Sequence, residues 1–224
     1  MTTGFGIGAF DWGPILHNLP ALWAGMQLTL VLTFLAVLGG LVLGTLLAVL
    51  QLSPVRVVAR AAALYVSFFR SIPLILAVFW FYFLVPLLLG HPVGPFFSVL
   101  VGFVFFEGAY FAEIVRAGIQ SVRRGQIAAA HATGLTTLQT FRYVVLPQAF
   151  RNMLPVLLTR SIVIFQDTSL AFVVSLTDFL TATSIVADRD GRPVELYLFA
   201  AAVYLTLSSA ADLGVRWSQG RLAR

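Results

Sequence analysis

Arg70, Glu107, Glu113, Arg160 and Asp167 are ionisable residues set within long apolar runs, which makes them the first candidates for chemistry. A charge at bilayer depth costs about 2.5–3.5 kcal/mol on insertion scales, so it needs a partner or a polar path. Arg160 lies about two turns before Asp167, with Gln166, Thr168 and Ser169 beside it. A guanidinium is a planar fork that matches a carboxylate. Two readings follow. In one, Arg160 faces a polar path and binds the carboxylate of an anionic solute, with Gln166 and Thr168 as neutral donors. In the other, Arg160 neutralises an acid such as Asp167 or Glu113 across a helix bundle. Asp167-Thr168-Ser169 is a polar break whose hydroxyls could bond backbone carbonyls and soften the helix at a gate. The alternative is a structural bond from Asp167 to Arg70 or Arg160. Arg70-Ser71-Ile72-Pro73 puts a kink in the second apolar run, because Pro73 lacks an amide hydrogen. That kink is either a gate or static. Glu113 and Arg116, at i,i+3, form an ordinary pair, whereas Glu107 and Glu113 do not share one face well.

An intramembrane enzyme would need an Asp pair at membrane depth, a Ser/His dyad or a His-Glu-x-x-His helix, and none is present, so no catalytic residue is assigned. His17, His91 and His131 are scattered and there is no Cys, which argues against a metal site.

The elements that must position these residues are membrane helices. The 224 residues are 59% hydrophobic and 10% charged, with a mean hydropathy of +0.94. A soluble domain of that size needs far more polar surface. A crossing takes roughly 20 apolar residues, so five crossings use about 100 and leave room only for loops. The apolar runs predict helices at about 21–51, 59–89, 95–120, 150–175 and 194–217, in one domain over 1–224. Stretches such as Leu28 to Leu50 lack the alternation of a β-barrel strand. Lipid also demands that backbone groups bond within their own segment. The expected fold is therefore an all-α, multi-pass membrane protein. Gly40 and Gly44 form a small-xxx-small pair that either admits a close helix neighbour or reflects ordinary glycine usage in membranes.

All 14 basic residues are Arg, and the net charge is +5. They cluster between helices rather than on a soluble face, which speaks for topology and against nucleic acid. Arg56 and Arg60 follow the first run. Arg116, Arg123, Arg124, Arg142 and Arg151 follow the third, and Arg216, Arg221 and Arg224 occupy the tail. Segments 1–20 and 90–95 carry no Arg. The positive-inside rule places the N-terminus outside and the C-terminus in the cytoplasm. The 177–193 loop is an exception, with Arg189 and Arg192 beside Asp178, Asp188 and Asp190. It is either a docking surface for an outer soluble protein or a solvated hairpin. The first 20 residues lack a basic n-region and a cleavage site, so the first run is expected to be retained.

A polar module separates the third and fourth runs. A short helix from about Gln126 to Thr133 is ended by Gly134. Thr136-Thr137-Leu138-Gln139 has the form of a capping box that starts a second helix. Leu138, Phe141 and Val145 then share one face, and Pro147 stops or kinks that helix. Such a helix–Gly–helix can present a knob to a cytosolic protein. It could otherwise lie on anionic lipid.

Gly125, Ala128-Ala129-Ala130, Gly134 and Leu146-Pro147 resemble the cytoplasmic loop of ATP-binding-cassette importer permeases. Their pattern is Glu-Ala-Ala, then Gly after three residues, then Leu-Pro. Ala128 stands where that pattern has Glu, which removes an acidic contact to the ATPase. Phe69 through Leu74, Ala109 through Ile119 and Gln166 through Leu170 resemble the polar amino-acid branch, over about residues 20–217 in one order. Phe165 through Leu170, with Gln166 where many members carry Lys, and Ser184 through Glu195 narrow the resemblance to glutamate/aspartate permeases. Glutamine, histidine and arginine importers share the motifs, and a passive channel would not need the cytosolic module.

The resemblance implies a type I ABC importer transmembrane fold with cytoplasmic coupling helices in a loop at 123–147. It implies a bacterial inner-membrane subunit that pairs with a second permease, as a heterodimer, and with two ATP-binding subunits. ATP and Mg would be held by the ATPase, with no cofactor in this chain. An extracytoplasmic binding protein would deliver the amino acid. Arg160, Gln166, Asp167, Thr168, Ser169, Arg70, Ser71 and Glu113 are then the expected pathway residues.

Overall fold

The computed structural model describes residues 10–222, with 218 and 220–222 described by backbone alone. Residues 1–9 of the Arg-free leading segment and Arg224 of the basic tail lie outside the described residues, as does the side chain of Arg221. Among the described residues every regular element is helical. The order is α1 (Gly13–His17), α2 (Leu19–Gln51), α3 (Arg56–Arg70), α4 (Leu74–Phe79), α5 (Val85–Leu89), α6 (Pro95–Gln120), α7 (Arg124–Ala132), α8 (Thr137–Thr140), α9 (Leu146–Asp167), α10 (Phe179–Asp190) and α11 (Pro193–Leu222).

Four stretches are long and apolar enough to cross a bilayer: Leu19–Gln51, Pro95–Gln120, Thr137–Val174 and Pro193–Trp217. The fifth predicted span is a broken one. Arg56–Arg70 and Leu74–Leu89 meet at 104°, so the expected kink is a right-angled turn. Pro73 lacks the amide hydrogen to continue α3 and disfavours helical geometry at Ile72, and its own backbone is extended at ψ 142°.

Of the two outcomes expected at Pro147, a stop or a kink, the stop does not occur. A π-turn at Phe141–Val145 joins α8 to α9 without a break, and the Leu146 amide donates to Phe141, five residues back. The same device precedes Pro86, where the Val85 amide donates to Trp80. A proline ring collides with the carbonyl four residues earlier, and the wider turn moves that carbonyl aside. The fourth span therefore begins at Thr137 rather than near 150. At its other end α9 tightens into a 3₁₀ segment, Thr168–Val174.

The core is built around α6, whose Phe103, Phe106, Phe111 and Val99 are buried against α2, α3 and α4. The glycine pair has a physical role here. A Cβ on Gly44 would lie 2.5 Å from the Phe111 Cβ and 2.8 Å from the Ala112 amide nitrogen. A Cβ on Gly40 would lie 3.1 Å from Glu107 and Phe111. Gly44→Leu should therefore push α2 off α6. Overpacking against backbone costs about 1–3 kcal/mol, or roughly 2–12 °C of Tm in a chain of this size. A thermal scan of the purified protein checks this. An unchanged midpoint would mean that the contact does not govern the packing.

The 177–193 segment is not a loop. It is α10, with Phe179, Ala182, Thr183, Val186 and Ala187 buried. Asp178 caps it, accepting from the Leu180 and Thr181 amides at 3.2 and 3.0 Å. The Phe179 amide donates to Thr29 Oγ1 of α2 at 3.0 Å. Its longest exposed run is the far end, Asp188 to Pro193, so a docking surface there is smaller than the sequence suggests.

Candidate functional site

Four of the five intramembrane charges, Arg160, Glu107, Arg70 and Glu113, gather on α6 around Tyr110. Arg160 of α9 donates from Nε and Nη2 to the two carboxylate oxygens of Glu107, both at 2.7 Å. The Glu107 side chain is 0% exposed and that of Arg160 18%. This bidentate geometry satisfies a buried carboxylate that would otherwise be costly. The Arg160 guanidinium lies 4.1 Å from the centre of the Tyr110 ring, and Arg70 lies 5.6 Å from the same ring. Arg70 Nη1 is 3.7 Å from one oxygen of Glu113. Arg116 holds the other oxygen of Glu113 and donates to Gln120 at 2.7 Å. The result is a ladder of alternating charge along α6, with Tyr110 as a shared rung for two cations.

The Glu113–Arg116 pair is the one the sequence predicts. For Arg160 the sequence leaves open a substrate carboxylate or a bundle acid such as Asp167 or Glu113, and the acid it meets here is Glu107. Seven residues of helix separate Arg160 from Asp167 by about 10 Å of rise. Glu107 instead stands directly across on the packed neighbour. No ion pair joins Asp167 to Arg70 or Arg160 among the described residues, and Arg70 turns to Glu113. Tyr110 was overlooked. Its position three residues from each of the two acids was the available signal.

The remaining predicted residues do not converge on Arg160. Gln166 donates to Ser208 of α11 at 3.0 Å, in a separate groove of about 440 Å³ that includes Asp212 and Arg216. Thr168 is buried and donates to the Phe165 carbonyl at 2.7 Å, and Ser169 donates to the Gln166 carbonyl at 2.8 Å. These bonds sit where α9 changes to 3₁₀ geometry. Ser71 bonds back to the Ser67 carbonyl at 2.7 Å. Arg70, Tyr110 and Glu113 line a further groove of about 390 Å³, which continues to Ser121 and Asn152.

That groove leads to the polar module. Helix α7 begins at Arg124, slightly before the expected Gln126, and presents Gly125, Ala128 and Ala129 outward while Ala130 is buried. Gly134 adopts φ +86°, and the Leu135 amide closes on the Ala130 carbonyl at 3.2 Å, a left-handed helix end that favours glycine. The capping box is present. The Gln139 amide donates to Thr136 Oγ1 at 3.3 Å, and Gln139 Oε1 accepts from the Thr136 amide at 2.9 Å. Thr136→Ala should cost about 1 kcal/mol locally, read as roughly fivefold faster amide exchange at Gln139. Unaltered exchange would show that the cap is not holding the turn.

The expected stripe is split. Leu138 and Phe141 are exposed, whereas Val145 is buried with Val122 and Ala149, Ile119 and Ile127 packing against them. This small cluster roots the module on the ends of α6 and α9. Asn152 adds a bond to Ser121 at 2.8 Å.

On the opposite side of the bundle, Arg189 donates to Asn18 at 2.6 Å and Asn18 to Asp190 at 3.1 Å, stitching α10 to the start of α2. The hydrogen bond from Arg189 holds the Asp190 carboxyl below the ordinary aspartate range. A depressed carboxylate lends stability that is present above its unfolded value and lost as pH falls through its folded one. Amide exchange around Asn18 should therefore rise, relative to its intrinsic rate, only below the ordinary aspartate range of about pH 4. A flat profile would show that the stitch carries no such contribution.

A profile of the family described as binding-protein-dependent transport system inner membrane component matches residues 40–224. The glutamate/aspartate import permease protein GltK of Escherichia coli O6:H1 is 47% identical over 221 residues, covering 96% of this chain and 99% of that protein. The probable glutamine ABC transporter permease protein GlnP of Bacillus subtilis is 31% identical, covering 94% and 95%. Among solved structures, an amino acid ABC transporter crystallised with histidines superposes with a TM-score of 0.89 at 29% identity, covering 94% of this chain and 98% of that one. An inward-facing structure of the methionine transporter MetNI reaches 0.71 at 22% identity over 90% and 98%, a likeness of fold.

Proposed function

This chain belongs to the family of binding-protein-dependent transport system inner membrane components, and we propose that it is the permease subunit of an ATP-driven importer of glutamate and aspartate. The observation that carries the reading is its near full-length kinship with a glutamate/aspartate import permease. The site supports it. Two guanidiniums, Arg160 and Arg70, share the Tyr110 ring inside the bundle, a cationic setting suited to an acidic amino acid.

In our reading Arg160, Arg70, Ser71 and Glu113 border the translocation path. Glu107 occupies the fork of Arg160 while the path is empty, and a substrate carboxylate competes for it. Gln166, Asp167, Thr168 and Ser169 mark the point where α9 yields as the bundle rocks. A second permease completes the path, as a heterodimer. The exposed face of α7, Gly125 to Ala129, docks on one of two cytosolic ATP-binding subunits, with Gly134 setting its angle and Leu146-Pro147 closing the module. Ala128 offers the ATPase no carboxylate, so docking rests on shape. ATP and Mg stay with the ATPase. The exposed end of α10 receives the binding protein on the outer side. The N-terminus then lies outside and the C-terminus in the cytoplasm of a bacterial inner membrane.

The test is uptake into proteoliposomes holding this chain, its companion permease and the ATPase, with the binding protein supplied at the face it docks on. Labelled glutamate should enter only with ATP, and excess aspartate should abolish entry while glutamine, histidine and arginine do not. Entry without hydrolysis would point to a channel. Competition by glutamine or a basic amino acid, but not aspartate, would reassign the substrate.

A further inference from the structure

We infer that the start of the fourth span carries a binding strip for an anionic phospholipid headgroup, with Arg142 and Arg151 as its phosphate contacts. At 1.5 Å per residue the stretch Thr137–Val174, 38 residues, is about 57 Å long. That exceeds the roughly 30 Å hydrocarbon core by about 27 Å. Its apolar part runs on from Met153, so residues 142–151 fall at headgroup depth on the Arg-rich side.

The exposed face there has two rows. Arg142, Leu146 and Phe150 recur at helical spacing, and Tyr143, Pro147 and Arg151 form the adjacent row. Tyr143 is 63% exposed, Leu146 44% and Phe150 50%, so three large apolar groups lie open between two cations. Arg142 rests on the Tyr143 ring at 5.7 Å, which presents its guanidinium without neutralising it. Among the described residues no carboxylate lies within ion-pair distance of Arg142, Arg151, Arg123 or Arg124. The other side of the same helix is seated on the bundle through Val145 and Ala149, so the strip is held rigidly outward. Uncompensated Arg beside an aromatic and aliphatic surface, continuous with a membrane span, matches a phosphate above acyl chains.

The experiment takes the assembled transporter in a neutral detergent, offers equal amounts of phosphatidylglycerol and phosphatidylcholine, and counts retained lipid by native mass spectrometry. At about 1 kcal/mol per Arg, two Arg give wild type a preference for phosphatidylglycerol of about thirtyfold. The variant R142Q/R151Q should bring that preference to within about threefold of unity, and R142K/R151K should keep most of it. Absence of any preference in the wild type overturns the proposal without recourse to a variant. So does a preference that R142Q/R151Q leaves intact. Loss of the ATPase from the R142Q/R151Q complex with the lipid preference unchanged would overturn it in favour of a protein partner on this face.

Discussion

Replacing Glu107 with Ala is expected to cost about 3–5 kcal/mol, because it strands the Arg160 guanidinium in the bundle without its carboxylate. The geometry sets that size. Both oxygens of a fully buried side chain are used by one fork at 2.7 Å. For a chain of this length the loss should lower the thermal midpoint by roughly 6–20 °C. The double replacement E107L/R160M removes both charges and should recover most of the loss, since an apolar pair of similar volume is often as stable as a buried ion pair. Equal midpoints for the single and double variants would show that the pair is not what the single change breaks. Transport separates the remaining roles. If Arg160 also meets the substrate, R160Q should weaken glutamate affinity. Full uptake with unchanged affinity would leave Arg160 a purely internal partner of Glu107.

Val145→Asp should uncouple the module from the bundle. Val145 is buried in the small cluster with Val122 and Ala149, away from the main core. A carboxylate buried there without a partner costs about 3 kcal/mol or more, which shifts the balance toward the undocked module by over a hundredfold. The spans themselves do not depend on this cluster. The variant should therefore insert and assemble its bundle while ATP-driven uptake falls, by up to about a hundredfold. Uptake within twofold of the parent would mean that force reaches the bundle by another route.

Some of this was legible in the residue order because it depends on local chemistry. Apolar runs of crossing length demand helices in lipid wherever they occur, and α6 spans the predicted residues, Pro95 to Gln120. Thr136 and Gln139 are close enough in sequence to close their box without help from the rest of the fold, and Gly134 needs only its own freedom at positive φ. The Glu113–Arg116 pair is one helical turn and was equally readable.

What was missed depends on which helix lies opposite. Arg160 chose Glu107 over the sequence-neighbouring Asp167 because α9 packs on α6, a choice made 53 residues apart. Segment 177–193 reads as a loop by its charges, yet residues at helical spacing, Phe179, Ala182, Thr183, Val186 and Ala187, bury between α2 and α11 and it becomes α10. Pro147 is a stop signal in isolation, and only the π-turn before it lets the helix continue. Local spacing determined this chain's membrane helices, its caps and its polar module, because those interactions close within a few residues. The partners of its buried charges and the path of its broken helices were decided by tertiary packing, because the energy of a desolvated group depends on whatever surface the fold sets against it.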